Sequence, residues 1–342
     1  MLERGWFNKM TELLKLVEDL TGLSGPSGSE EKIRSFIRKE AEAYGDELFV
    51  DALGNLIVVK RNPDGKKILL AAHMDEIGLM VTFIEENGFL RFSPVGGVNN
   101  EILSGTKVIF DNGTAGIIGR EKLKEKETAG INRFYIDIGA KSKDEALERV
   151  KIGETATFYP SFHHMGPRVT AKSLDNRAGC ALLLQVLKNL PASLPNEVYF
   201  VFTAQEEVGL RGARTVSYRL NPDYALAVDV TRTGDTPEPE FKMDLALGKG
   251  PAIKIKDSSV ICHPTVVQRM IRAAERINVP FQLEVLERGG TDAGSIHLSR
   301  EGVPSGALSI PCRYIHTPGE MVDLNDIEGG FSLLVELLKD KW

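Results

Sequence analysis

Val198-Tyr-Phe-Val-Phe-Thr-Ala-Gln-Glu-Glu-Val-Gly-Leu-Arg-Gly-Ala213 is an unbroken apolar, β-branched and aromatic run that stops at two adjacent carboxylates. A run bounded in this way predicts a buried strand. In open α/β sheets ligands bind just beyond the carboxyl ends of strands, so Glu206 and Glu207 fall where chemistry is done. Neighbouring residues point in different directions, which lets one carboxylate hold a metal while the other faces a substrate. The pair alone decides nothing, because adjacent glutamates also begin solvated helices, where the helix dipole favours them.

Moving outward, other apolar runs end in the same manner. Lys67-Ile-Leu-Leu-Ala-Ala72 leads into His73-Met-Asp75, where an imidazole can bind a metal while the nearby carboxylate orients its other nitrogen. Tyr224-Ala-Leu-Ala-Val228 closes on Asp229, and Ala307-Leu-Ser-Ile310 is followed by Tyr314-Ile-His316. Asp175 stands at the mouth of the apolar helix expected over Cys180 to Leu190, where an N-cap is the plain structural alternative. Asn55 to Lys60 is expected to form a hairpin with Lys67 to Ala72 across Asn62-Pro-Asp-Gly65.

Between about Gly78 and Pro167 the pattern changes to short alternating strands separated by Asn87-Gly88, Gly96-Gly97 and Asn112-Gly113. This predicts a small β-barrel inserted into an α/β domain. The expected division is a catalytic domain in two parts, 1–77 and 168–342, around an inserted β-rich module at 78–167. The charged stretch Arg120 to Arg133 reads as a solvated surface loop, with a flap over the site as the other reading. The expected fold class is therefore α/β, a mixed-sheet domain with a barrel-like insert.

The formal net charge of −6 over 342 residues argues against a nucleic-acid footprint, and no apolar stretch is long enough to span a bilayer. Without a secretory-type leader in the opening residues, a cytoplasmic location is expected. Cys180, Cys262 and Cys312 have neither metal nor redox spacing and are expected as buried free thiols. Of the other histidines, His163 and His164 suit a surface or interface, and His263 and His297 suit structural roles.

His73, Asp175, Glu207, Asp229 and His316, with Glu206 beside them, supply two imidazoles and three carboxylates. Those are the proportions of a site for two metal ions, which needs one bridging carboxylate plus about one imidazole and one terminal carboxylate per metal. Nitrogen and oxygen ligation without cysteine suits zinc, and would also accept cobalt or manganese.

These residues carry a resemblance. His73-Met-Asp75-Glu-Ile-Gly78, Pro94-Val-Gly-Gly97, Ser173-Leu-Asp175-Asn-Arg-Ala-Gly179, Gln205-Glu206-Glu207, Val228-Asp229, Gly289-Gly-Thr-Asp-Ala293 and His316-Thr-Pro-Gly-Glu320 together resemble the TET-type dizinc aminopeptidases, the glutamyl and leucyl aminopeptidase family whose subunits build tetrahedral shells. The resemblance implies that Asp175 bridges the metals, His73 and Asp229 complete one site, and Glu207 and His316 complete the other. It makes Glu206 the general base and Asp75 the partner of His73, and it implies a cis peptide after Asp175. It also implies a mixed-sheet metallopeptidase domain of the phosphorylase/hydrolase-like fold, short peptides as substrates and a homo-oligomer built from dimers, up to a dodecamer.

Related carboxypeptidases and N-acyl amino acid deacylases share the Glu-Glu pair, but their extra domain follows the metal-binding Glu and Asp. Here the insert lies between His73 and Asp175, which favours the aminopeptidase. A glycosidase carboxylate pair needs no histidine ligands. A catalytically dead scaffold on the same fold predicts a lost ligand, and all six positions are filled. An apolar or broad pocket favouring neutral residues such as leucine is expected; Arg232 or Arg288 would serve an acidic residue, and Asp235 or Glu238 a basic one.

Overall fold

The computed structural model describes residues 2–123, 130–191, 193–239 and 242–342. Helices α1 (Leu2–Gly22) and α2 (Glu31–Ala41) precede strands β1 (Glu47–Val50), β2 (Leu56–Lys60) and β3 (Lys67–His73). Six short strands follow: β4 (Gly78–Ile84), β5 (Leu90–Val95), β6 (Lys107–Phe110), β7 (Ala115–Arg120), β8 (Phe134–Asp137) and β9 (Thr155–Phe158), with α3 (Lys143–Leu147) before the last. The chain then returns through β10 (His163–Met165), β11 (Arg168–Ala171), α4 (Leu174–Asn189), β12 (Glu197–Thr203), α5 (Arg211–Leu220) and β13 (Tyr224–Thr231). It ends with β14 (Ala252–Lys256), α6 (Pro264–Arg276), β15 (Gln282–Val285), α7 (Ala293–Ile296), β16 (Ser305–Arg313), β17 (Glu320–Asp323) and α8 (Leu324–Leu337).

The main sheet runs β1-β2-β12-β3-β13-β16-β17-β11-β10, with β14 and β15 branching from β16. All seven residues of β12 are buried, as expected for a strand covered on both faces. It pairs parallel with β3 in a register that sets Thr203 opposite His73, so the Glu206–Glu207 loop leaves the sheet beside the imidazole. Helix α4 is buried on every side from Leu174 to Leu187 because it lies inside the main core, against α1, α8, β3 and β13.

The expected hairpin between β2 and β3 does not form. Strand β12, some 140 residues later in the chain, lies between them, antiparallel to β2 and parallel to β3. The hairpin partner of β2 is β1. Its turn is held by Asp51, whose Oδ1 accepts the N–H groups of Leu53, Gly54 and Asn55.

Strands β4-β5-β8-β7-β6-β9 close into a barrel around a core of its own, including Leu79, Phe92, Val108, Ile118, Phe134 and Phe158. Residues 124–129 of the charged stretch, on which the surface-loop and flap readings bear, lie outside the described residues. No described helix is long and apolar enough to cross a membrane.

Candidate metal centre

Strands β3 and β13, the loop after β12, the start of α4 and the loop after β16 deliver their side chains to one point. Asp175 lies between the imidazoles: its Oδ1 is 3.1 Å from His73 Nε2 and its Oδ2 is 3.4 Å from His316 Nε2. Asp229 Oδ1 is 3.6 Å from His73 Nε2, and Glu207 Oε2 is 3.2 Å from His316 Nε2. Glu206 stands further off, with Oε2 3.9 Å from His73 Nε2. The Asp175–Asn176 peptide is cis. Asn176 is anchored by donating to Val228 O and accepting from Gly179 N–H.

The donor set fits metal ions. Ligand atoms about 2.0–2.2 Å from one zinc lie about 3.3–3.6 Å apart at tetrahedral angles, close to the 3.1, 3.6, 3.4 and 3.2 Å separations within the two halves of the cluster. Glu207 Oε1 is buried with no hydrogen-bond partner, the state of an oxygen awaiting a cation. Charge points the same way. Burial alone would lower His316, but its hydrogen bonds to Asp175 and Glu207 push it up to about 11. Burial pushes Glu206 well above the usual carboxylate range, reinforced by Asp229, Glu207 and Asp292. So much buried negative charge calls for dications.

Two further carboxylates hold the backbone of this cluster. Asp75 Oδ1 accepts the N–H of Glu206 at 3.0 Å, while its Oδ2 accepts the N–H of Glu207 at 3.2 Å and the Ser27 hydroxyl at 2.6 Å. Its contact with the His73 ring is longer: Nδ1 lies 3.6 Å from Oδ1 and 3.2 Å from the Asp75 carbonyl. Glu320 accepts the N–H of Asp175 and of His316, each at 2.8 Å.

The inserted barrel also touches the centre. A Cβ on Gly97 would lie 2.7 Å from His316 Nδ1, and one on Gly96, at φ 78°, would lie 3.2 Å from Glu207 Cβ. Pro94 to Gly97 stood out in the sequence only as a motif; the absence of side chains at a turn signal was the trace of this close approach.

The remaining candidates fall elsewhere. His163 and His164 are exposed on β10. His263 caps α6 by accepting from Thr265 N–H, and His297, at the C-cap of α7, has its Nδ1 2.9 Å from Ala293 O. All three cysteines are buried and free. A cavity of about 330 Å³ opens from the cluster, lined by Leu210, Val230, Leu286, Ile315, Arg232 and Arg288. Asp235 does not serve it: both its oxygens are taken by Arg313, at 2.9 and 2.6 Å.

A largely buried nest of acids around two imidazoles, at the carboxyl edge of a mixed sheet, places the chain among metal-dependent hydrolases. The chain belongs to the M42 glutamyl aminopeptidase family, whose profile matches residues 54–333, and it is a metal-dependent aminopeptidase. A candidate aminopeptidase of Acetivibrio thermocellus is 51% identical over 328 residues, covering 96% of this chain and 98% of its own. The solved aminopeptidase of the archaeon Desulfurococcus kamchatkensis has a TM-score of 0.93 and 37% identity, over 96% of this chain and 95% of that one. The TET1 peptidase of Pyrococcus horikoshii, which can assemble into a tetrahedron or a large octahedral shell, has a TM-score of 0.87 and 36% identity, over 95% of this chain and 99% of that one.

Proposed function

We propose that the chain removes N-terminal residues from short peptides at two divalent metal ions held by His73, Asp175, Glu207, Asp229 and His316. The observation that carries this reading is that the two oxygens of Asp175 face different imidazoles, at 3.1 and 3.4 Å. An acid so placed is suited to bridge, with His73 and Asp229 on one side and Glu207 and His316 on the other. Zinc is the expected ion, with cobalt or manganese as acceptable substitutes.

When bound, the metals supply the Lewis acidity that makes water a nucleophile at neutral pH. Glu206 lies within 4.8 Å of His73 and Asp229 but further from the imidazole than Asp175 or Asp229; with those two assigned as ligands, it is the acid that remains to take a proton as the water attacks the scissile carbonyl. The same carboxyl then returns that proton to the leaving amine. Asp75 holds Glu206 in place through its backbone N–H, and so acts on the base through the main chain. The apolar walls from Leu210, Val230, Leu286 and Ile315 support a preference for neutral residues such as leucine. Arg232 and Arg288 line the same cavity and favour a second reading, an acidic residue.

The module at 78–167 is proposed as the dimerisation and substrate-access domain, and the assembly as a dimer-based dodecamer like the shells of the structural relatives. The buried free thiols support a reducing, cytoplasmic setting. The test is metal analysis of the purified protein alongside a Leu-, Glu- and Lys-aminoacyl chromogenic panel. Two metals per chain, activity lost to chelator and restored by zinc or cobalt, and highest turnover on Leu are expected. One metal per chain at full activity would sink the dinuclear site, and a strong Glu or Lys preference would sink the neutral pocket.

A further inference from the structure

We propose that Glu320 is the positioning residue for the metal site completed by His316 and Glu207; the inference rests on the dinuclear reading above. Glu320 opens β17, whose register with β11 sets it opposite Ala171, four residues before Asp175 in the chain. It is 1% exposed, and its two oxygens are divided between two ligand-bearing backbones: Oε2 accepts from Asp175 N–H and Oε1 from His316 N–H, both at 2.8 Å. One carboxylate thus ties the bridging residue to a ligand 141 positions away in sequence.

The tie matters unequally to its two ends. Asp175 is additionally held by the buried start of α4, where Asn176 and Arg177 are fixed to Val228 and Leu20. His316 sits on a loop with Tyr314 and His316 itself at φ 60° and 66°, left-handed backbone that side-chain-bearing residues adopt only when held there. Its ring is 28% exposed, against 2% for His73. Asp75 does the matching job for the loop after β12, giving one oxygen each to the N–H groups of Glu206 and Glu207. The centre is therefore held by a pair of buried carboxylates, each spanning two site residues through their main chains.

Two N–H donors require two acceptors. In Glu320→Gln one of the oxygens becomes an NH₂, which opposes the N–H it faces, so one of the two ties must break. The looser partner, His316, is the one expected to let go. Groups that hold a ligand in place typically contribute about 10–100-fold in metal affinity.

The test is titration of the metal-free protein with zinc, by calorimetry and by competition with a chromophoric chelator. Cobalt absorption supplies the geometry, and melting of the metal-free form monitors the fold. Wild type should take up two ions. Glu320→Gln and the shorter Glu320→Asp, which cannot span both N–H groups, should keep one tight ion and bind the second about 10–100-fold more weakly. Their cobalt spectra should approach that of His316→Ala, with metal-free melting within a few degrees of wild type. Unchanged affinity for both ions in the Glu320 variants, or equal loss of both, overturns the inference. A wild type that binds fewer than two ions overturns instead the dinuclear reading beneath it.

Discussion

Asp75 and Glu76 are neighbours in sequence, both buried, and they face opposite problems. Asp75 serves the metal cluster, while Glu76 neutralises two cations in the core behind it, accepting from Lys172 Nζ at 2.7 Å and Arg177 Nη2 at 3.4 Å. Lys172 and Arg177 are 1% and 0% exposed, so Glu76→Ala strands both charges. Breaking a buried pair in this way costs about 3–5 kcal/mol, to be read as a lower denaturant midpoint. Glu206→Gln should keep metal content and lose about 100- to 10,000-fold in kcat, because the amide keeps the shape but not the basicity. Asp175→Asn should lose metal instead, since a bridge needs two anionic oxygens; elemental analysis separates the two outcomes. The acids that close apolar strands could be found from sequence because an abrupt change of polarity marks them. Glu320 and Asp292 stand out in the sequence as members of motifs, but their contacts do not: a buried loop acid, Glu320 against two backbone N–H groups and Asp292 against the Thr203 hydroxyl, looks, in sequence, like one that is solvated.

Among the elements, those defined by local chemistry were legible and those defined by distant pairing were not. Asn-Gly and Gly-Gly turns punctuate the barrel, and Asn87-Gly88 and Asn112-Gly113 fall between β4 and β5 and between β6 and β7. The pairing of β2 was misread because a polar turn between two apolar runs says nothing of a strand that arrives from far along the chain to separate them. Strand β10, three exposed residues at the edge of the sheet, carries no hydrophobic signature at all. The turn after β5 yields a prediction of its own. Gly97→Ala puts a methyl 2.7 Å from His316 Nδ1, so it should weaken metal binding by the His316 half more than by the His73 half. Equal affinity at both halves in a zinc titration would show that the ring moves aside without cost.

At the scale of the molecule, the sheet domain and the barrel have separate cores and meet at the metal centre. Light scattering is expected to give a dodecamer, a mass near twelve times the 37.6 kDa chain; a stable dimer in metal-replete protein would limit the proposed assembly. The acid limb of stability should involve the Asp235–Arg313 pair, which ties the loop after β13 to β16. Burial would raise Asp235, but hydrogen bonds from Arg313, Thr233 and the Leu247 N–H, with the charge of Arg313, together outweigh it and hold the carboxyl at about 2. A folded-state value below the unfolded one means that this stabilisation is present above about pH 4 and disappears as pH falls towards 2. Melting of Asp235→Asn against wild type should therefore show a gap that is steady near neutrality and closes in acid.

The closed barrel has one more consequence. Strand β4 is bonded to both β5 and β9, so the ring has no free edge, and a surface without one cannot recruit another chain by strand addition. Whatever the barrel docks against, it must grip by side chains and loops, an attachment that can be reversed. The risk of uncontrolled stacking falls on β15, bonded on one side to β14 and carrying exposed Leu283 and Val285. If this protein forms fibrils under stress, the first cross-β contacts should be sought there and not in the half of the molecule that is richest in short strands.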